Sequence, residues 1–165
     1  MLTPLVLSGL MILGLSCQQA KVDILNDSFP EEQAKITQMI DDIYKSAQQK
    51  DIETLQSFHA YGPKFTTFKD GGLREDAEGN KKYEQETFMA ISDYQYDIRD
   101  LKVSVFGDAA IATFHGFFEA NLGDQHIEVQ VQGTLAFVKV DGAWKIVHEH
   151  FSPLNLPTEQ APKAE

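Results

Sequence analysis

The stretch that decides the fold is Gly142-Ala-Trp-Lys-Ile-Val-His-Glu-His-Phe-Ser152. Its apolar and polar residues alternate, which is typical of a half-buried strand. Because successive side chains of a strand point to opposite faces, His148 and His150 should project from the same face as Trp144. A face that begins with packed apolar residues and ends in two titratable rings is typical of a pocket wall. The stretch therefore predicts where a site lies, without naming the molecule that enters it.

Three long apolar runs precede this strand and are separated from it and from one another by short turns. Asp141-Gly142 and Gly107-Asp108 are two-residue turn signals between such runs, and these favour β-hairpins. The pattern predicts four antiparallel strands at Gln95–Phe106, Ala109–Ala120, His126–Val140 and Ala143–Phe151.

Helical patterns dominate the first half of the chain. Pro30 suits the first turn of a helix, and the apolar residues from Ile36 to Ala47 follow helical spacing. Asp51 and Asn80 are candidate N-caps of two further helices. Helices followed by an antiparallel meander predict an α+β fold, with a curved sheet packed on three N-terminal helices.

Composition restricts the function. The 165 residues are 42% hydrophobic, which suits one domain with a real core. The chain carries 14 Lys and Arg against 25 Asp and Glu, for a formal charge of −11. Because phosphate binding requires a basic surface, we expect no nucleic-acid partner.

The first 20 residues contain no charged side chain. The apolar segment is about 16 residues long, shorter than the roughly 20 of a membrane span, and fits a secretory signal. Leu13-Gly-Leu-Ser-Cys17 resembles the lipobox of bacterial lipoproteins. That resemblance implies a signal peptide at 1–16, a lipidated Cys17 in the cell envelope, and membrane contact through the lipid anchor only. The alternative is an ordinary cleaved signal and a secreted or periplasmic protein.

We expect a tether at 17–30, one domain at 31–153 and a loose tail at 154–165. Over about residues 32–153, the element order and the closing Gly142-x-Trp-x-Ile-Val-His-x-His-x-Ser152 resemble the SnoaL-like branch of the nuclear transport factor 2-like superfamily. The resemblance implies a cone-shaped, strongly curved sheet closed by the helices. Because such folds host many functions, it leaves activity open.

Hairpin pairing predicts which side chains line the cone. With regular strands, an almost wholly apolar inner face ends in Asp97, Arg99, His148 and His150. Gly116 and Gly133 lie beside this charged end, where their missing side chains leave room for a ligand. A β-bulge would invert part of this face. The candidate ligand-binding residues are Asp97, Arg99, Leu101, Phe114, Phe118, Leu135, His148 and His150.

Asp97, His148 and His150 are also candidate acid–base catalysts, since a histidine beside a carboxylate can titrate near neutral pH. Alternatively, they form a satisfied polar network at the mouth of the cone. They could also ligate a cation, but no cysteine or further histidine joins this face, so we expect no metal and no cofactor. His59 is interpreted as a solvated residue at a helix end.

Three functions remain open. The first is a module that binds a small, largely apolar molecule in the cone cavity. The second is an acid–base enzyme: the resemblance includes ketosteroid isomerase-like isomerases, hydrolases and cyclases. The third is an assembly domain. We also expect a homodimer, because the outer sheet face of the predicted register exposes the apolar residues Tyr96, Ile98, Ile111, Phe117 and Phe151.

Overall fold

The computed structural model describes residues 22–155, so the predicted signal peptide, Cys17 and most of the tail lie outside the described residues. Three helices and a five-stranded sheet form an α+β domain, as predicted. The elements are α1 Pro30–Gln48, α2 Ile52–Ser57, β1 Thr66–Lys69, α3 Ala77–Ala90, β2 Ile91–Phe106, β3 Ala109–Leu122, β4 Gln125–Val140 and β5 Ala143–Pro153.

Helix α1 covers the concave face of the sheet. Pro30 starts the helix, and Glu31 and Glu32 lie in its first turn, where the helix dipole favours negative charge. The predicted apolar stripe is buried, from Ile36 at 0% exposure to Ala47 at 2%. This helix therefore closes one side of the core.

The other two helices are short and have side-chain caps. Asp51 accepts a hydrogen bond from the Thr54 amide and caps α2, as expected. Helix α3 begins earlier than predicted, because Asp76 rather than Asn80 accepts from its first amides. Asn80 lies inside α3 and is fully buried.

The sheet has the strand order β1-β5-β4-β3-β2, antiparallel except for β1 beside β5. The two predicted hairpin turns are confirmed: Phe106 pairs with Ala109, and Val140 pairs with Ala143. The β3–β4 turn has only two residues, since Leu122 pairs with Gln125. The β3–β4 pairing runs without a register shift.

The register shifts twice in β2, first between Ser92 and Gln95, and once in β5. Two of these shifts are bulges that change the placement of the predicted site residues. In β2, pairing shifts between Arg99 and Lys102, so that Ile98 rather than Arg99 lies opposite Gly116. In β5, His148 pairs with Ala136, while Phe137 pairs with Ile146. Val147 is the extra residue of this second bulge, and beyond it every side chain of β5 lies on the face opposite to that predicted.

The core lies between the helices and the inner face of the sheet. Aromatic rings cover two inner-face glycines, where a Cβ at Gly133 would lie 2.4 Å from the Phe114 ring and one at Gly116 2.6 Å from Phe118. Aromatic side chains of the protein therefore fill the space beside these glycines, and the prediction that they leave room for a ligand is wrong. No helix among residues 22–155 is long and apolar enough to cross a membrane.

Candidate functional site: a cavity with a buried polar end

A cavity of about 210 Å³ lies between the helices and the inner face of the sheet. Its wall is mainly apolar and aromatic: Tyr44 lies 5.3 Å from Phe118 between ring centroids, and Phe88 lies 5.4 Å from Tyr94. An apolar cavity of about 150 Å³ already accepts benzene. This cavity is therefore large enough for a molecule of one or two rings.

Five charged residues line the cavity: Lys69, Asp70, Glu84, Glu119 and Glu149. Three of them have largely buried side chains and come from three different elements. Lys69 extends from the inner face of β1, Glu84 from α3, and Glu149 from β5. Glu149 faces inward because the bulge at Val147 turns the remainder of β5 over. Glu84 lies four residues after Asn80, so the two share one face of α3.

His59 lies behind Glu149. The segment that follows α2 is held to β5, because the Ala60 amide donates to the Ile146 carbonyl and the Ile146 amide to the Phe58 carbonyl. Nε2 of His59 lies 3.0 Å from Oε1 of Glu149 and 3.5 Å from Oε1 of Glu84. The His59 ring is fully buried, so it orients the two carboxylates without lining the cavity.

Two neutral side chains complete the cluster. Tyr61 donates its hydroxyl hydrogen to Oε2 of Glu84 over 2.9 Å, and the Asn80 amide donates to the Tyr61 hydroxyl over 2.8 Å. Lys69 donates to the Asn80 carbonyl oxygen, and its Nζ lies 3.9 Å from Oε2 of Glu149. Each buried charge therefore has a polar partner, as buried charges require.

The ionisation of Glu149 and His59 is coupled. Burial alone would raise the pKa of Glu149, but the hydrogen bond and charge of His59 outweigh burial and bring the pKa below its ordinary 4.5. Burial alone would lower the pKa of His59, but the hydrogen bond and charge of Glu149, with the charge of Glu84, raise it above 6.5. Together these shifts favour an imidazolium–carboxylate pair.

Glu84 and Lys69 are shifted in the opposite sense, toward their neutral forms. Burial raises the pKa of Glu84 above 4.5, against the opposing charge of His59. Burial also lowers the pKa of Lys69 below 10.5, although the charges of Glu149 and Glu84 oppose it. Two carboxyl groups at one cavity wall thus have pKa values displaced in opposite directions, which is the arrangement of an acid and a base.

The donor atoms of His59, Glu84 and Glu149 lie within 4.8 Å of one another, close enough for one cation. The Lys69 ammonium already supplies positive charge beside Glu149. Two of the oxygens that would bind a cation also face existing partners, namely the His59 ring and the Asn80 amide. We therefore assign the cluster as an acid–base network.

The residues predicted to line the cavity divide into three groups. Phe118 and Leu135 line it, as expected. Phe114 is buried behind the wall against Phe151, and Leu101 packs on the core beside the β2 bulge. These four residues lie on the inner side of the sheet, as the predicted register required.

The charged residues of the prediction do not meet at the cavity. Asp97 and Arg99 pair with each other over 2.7 Å, with side chains 55% and 56% exposed on the outer side of β2. His148 contacts the Thr66 hydroxyl over 2.8 Å, and His150 is exposed beside Phe68. The predicted inward placement of all four is wrong, because each lies beyond a bulge.

The sequence contained a signal for both bulges. In β2, the inward apolar residues have even numbers up to Ile98 and odd numbers from Leu101. In β5, Ile146 is even and Phe151 is odd. A change of parity within one strand requires an unpaired residue. His59 and Lys69 carried no comparable signal, because each depends on packing between elements distant in sequence.

Comparison with known proteins agrees with the fold. A solved structure of a proposed dehydratase of the nuclear transport factor 2-like family from Streptomyces avermitilis is 19% identical, covers 77% of this chain and 99% of its own, and superposes with a TM-score of 0.70. A superfamily protein from Salmonella enterica is 20% identical, with coverages of 81% and 99% and a TM-score of 0.69. At these identities the likeness establishes the fold alone.

A proposed calcium/calmodulin-dependent kinase II association domain from Xanthomonas campestris is 17% identical, with coverages of 72% and 85% and a TM-score of 0.61. No curated protein matches the sequence. The family model described as SnoaL-like domain matches residues 36–156, which is most of the chain. The chain belongs to the SnoaL-like domain family.

Proposed function

We propose that this domain binds a small, largely apolar molecule in its cone cavity, with a polar group of that molecule directed at Lys69, Glu84 and Glu149. The observation that carries the proposal is the cavity of about 210 Å³ with an aromatic wall and one polar end. A cavity filled by its own side chains would have favoured an assembly domain. Apolar walls with a few convergent polar groups are typical of small-molecule sites.

Native mass spectrometry of the purified full chain tests this proposal. A co-purified small molecule should be released on denaturation. The variant Thr87→Trp, which places an indole at the cavity wall, should lack it. Gln85→Trp adds the same ring to the exposed side of α3 and should retain the molecule. Equal retention by both variants would show that the molecule lies elsewhere.

A second function, acid–base catalysis, is supported by the opposed pKa shifts of Glu149 and Glu84. Glu149, ionised beside His59, would remove a proton from carbon next to a carbonyl group, and neutral Glu84 would donate a hydrogen bond to the developing oxyanion. The proposed dehydratase among the similar structures adds only analogy.

Hydrogen–deuterium exchange of 2-tetralone in D₂O, followed by proton NMR, tests catalysis. This two-ring ketone fits the size of the cavity and has exchangeable protons beside its carbonyl. The protein should accelerate their exchange, and Glu149→Gln should remove the acceleration by about 10²-fold or more. Exchange no faster than in buffer would reject this function while leaving binding intact.

We also propose that the protein is anchored to the bacterial cell envelope through lipidated Cys17, which rests on the lipobox-like segment ending at that residue. Cys17→Ser should release the protein from the membrane fraction or leave it unprocessed. Unchanged fractionation would reject the anchor.

Homodimerisation remains a proposal with a weaker structural basis than the sequence indicated. Of the five apolar residues expected on the outer sheet face, Tyr96 stacks on Tyr44 in the core, and Ile98 and Phe151 also pack inward. Ile111 and Phe117 remain on the outer face, with Ile111 43% exposed. Sedimentation at micromolar concentration should show a dimer, and a monomer alone would refute it.

A further inference from the structure

We infer that Lys69 is a nucleophilic amine that forms an imine with an apolar aldehyde or ketone held in the cavity. This inference rests on the proposed binding function and deepens it, since it names the reactive group of the ligand. It also assigns Lys69 a role beyond neutralising Glu149.

The position of Lys69 suits attack on a bound ligand. Strand β1 is fixed by parallel pairing with β5, and Lys69 lies opposite Phe151. The Lys69 side chain is 13% exposed and reaches the polar end of the cavity. Within residues 22–155 it is the one lysine or arginine that lines this cavity. A carbonyl group at the polar end would therefore meet a single amine.

Burial limits the charge of Lys69, although its nearest contacts favour the ammonium. Its Nζ lies 4.0 Å from the ring centroid of Tyr83, and Asn80 accepts one of its hydrogens, while the side chain as a whole is only 13% exposed. An amine desolvated among apolar groups carries a proton less readily and becomes nucleophilic, which is how reactive lysines are produced. Burial lowers the pKa of Lys69 in keeping with this geometry.

Acid–base groups for every proton of the reaction are adjacent. Glu149, 3.9 Å from Nζ, can take the proton that leaves the ammonium. The nitrogen lone pair then adds to the carbonyl carbon, the carbonyl oxygen takes up a proton from Glu84 or water, and the nitrogen gives its second proton to water, which leaves a neutral carbinolamine. The carbinolamine hydroxyl takes back a proton from Glu149 and leaves as water while the nitrogen lone pair forms the C=N bond, and the iminium nitrogen gives its last proton to Glu84 or water. Overall, one amine and one carbonyl group give one imine and one water, and the reaction needs no oxidant or reductant.

The alternative role of Lys69 is a structural ion pair with Glu149. An ion pair requires only positive charge, so it predicts that Lys69 reacts with aldehydes no faster than a surface lysine. Lys82 on α3 provides that reference, because its side chain is 73% exposed. The two roles therefore differ in the relative reactivity of Lys69 and Lys82.

The experiment treats the purified full chain with 2-naphthaldehyde and sodium cyanoborohydride near neutral pH. The reagent reduces each imine to a stable secondary amine, and peptide mass spectrometry then locates the modified lysines. Because burial lowers the pKa of Lys69 and the cavity holds the aldehyde beside its amine, Lys69 should be labelled severalfold faster than Lys82. The variant Thr87→Trp should lose this selectivity, whereas Gln85→Trp should keep it.

Binding of 2-naphthalenemethanol, which has the same ring without a carbonyl group, separates this inference from the proposed function. If the alcohol binds and Thr87→Trp abolishes its binding, while Lys69 is labelled no faster than Lys82, the imine is wrong and the cavity function stands. If neither the aldehyde nor the alcohol binds in the cavity, the imine and the binding function are both wrong for two-ring ligands. If Lys69 is labelled selectively and the alcohol suppresses this labelling, the result supports the imine and the binding function.

Discussion

The inner and outer faces of β5 carry titratable side chains in opposite physical states. Inside, Glu149 is buried against His59 and lines a cavity with Lys69. Outside, His148 touches a threonine hydroxyl and His150 is exposed to solvent. One unpaired residue, Val147, decides which group faces inward. The comparison teaches that the chemistry of this site depends on a bulge as much as on the residue types.

Inserting one alanine between Val147 and His148 should have the largest effect. If the bulge persists, the insertion turns Glu149 outward and directs His148 and His150 into the core. If the bulge is absorbed into a regular strand, Glu149 moves two residues along the register, so in either case His59 loses its carboxylate. We expect loss of cooperative unfolding, since a typical domain has only about 5–15 kcal/mol of stability. Circular dichroism with urea denaturation checks this. Val147→Ala, which retains chain length, should cost about 1 kcal/mol. An insertion variant as stable as Val147→Ala would show that the bulge does not set the register.

Removing the buried carboxylate should produce the next largest effect. Glu149→Ala leaves His59 and Lys69 buried without their counter-charge, which costs about 3–5 kcal/mol. His150→Ala on the outer face should change stability by no more than about 0.5 kcal/mol. The measurement is the free energy of unfolding in urea. Comparable losses for the two variants would contradict the assignment of faces.

The architecture was predictable because it follows from repeated patterns. The helical stripe from Ile36 to Ala47 and the glycine-containing turn signals specify helices and hairpins locally. The site was not predictable in the same way. Its members come from the segment after α2 and from β1, α3 and β5, and one unrecognised bulge residue is enough to exchange the faces of a strand.

The Asn80 cap prediction failed for a similar reason. Asn80 suits a cap by residue type, but Asp76 accepts hydrogen bonds from the Glu78 and Gly79 amides instead. Asn80 is then available inside the helix for Tyr61 and Lys69. Local propensity predicts that Asn80 caps a helix, but tertiary packing places it inside α3 as a partner of Tyr61 and Lys69.

The free energy of unfolding should also depend on pH through His59, and this effect should be smaller than those of the variants above. Because the folded-state pKa of His59 is raised above 6.5, its stabilising effect is complete below that pH and is lost as pH rises through the folded-state value. We expect the free energy of unfolding to fall from about pH 6.5 upward. His59→Gln should flatten this decline. A decline of equal slope in the variant and the original protein would place the titrating group elsewhere.

We expect the smallest effect at Asp97 and Arg99, the exposed pair that the predicted register had placed at the cavity. Arg99→Ala removes a partner of Asp97 and a contact 3.9 Å above the Phe117 ring, both at the surface. We expect a loss of about 0–1 kcal/mol and unchanged ligand retention. Thermal unfolding with native mass spectrometry measures both. Loss of the ligand in this variant would show that Arg99 contributes to the binding site.

The central claim is that ligands enter the inner-face cavity beside Glu149. Amide NMR spectra recorded during titration with 2-naphthalenemethanol test it most directly. The account predicts saturable shifts of Lys69, Glu84, Glu149 and Phe118, with the signals of His148 and His150 little changed. Saturable shifts centred on His148, His150 and Phe68, with the cavity residues unaffected, would contradict it.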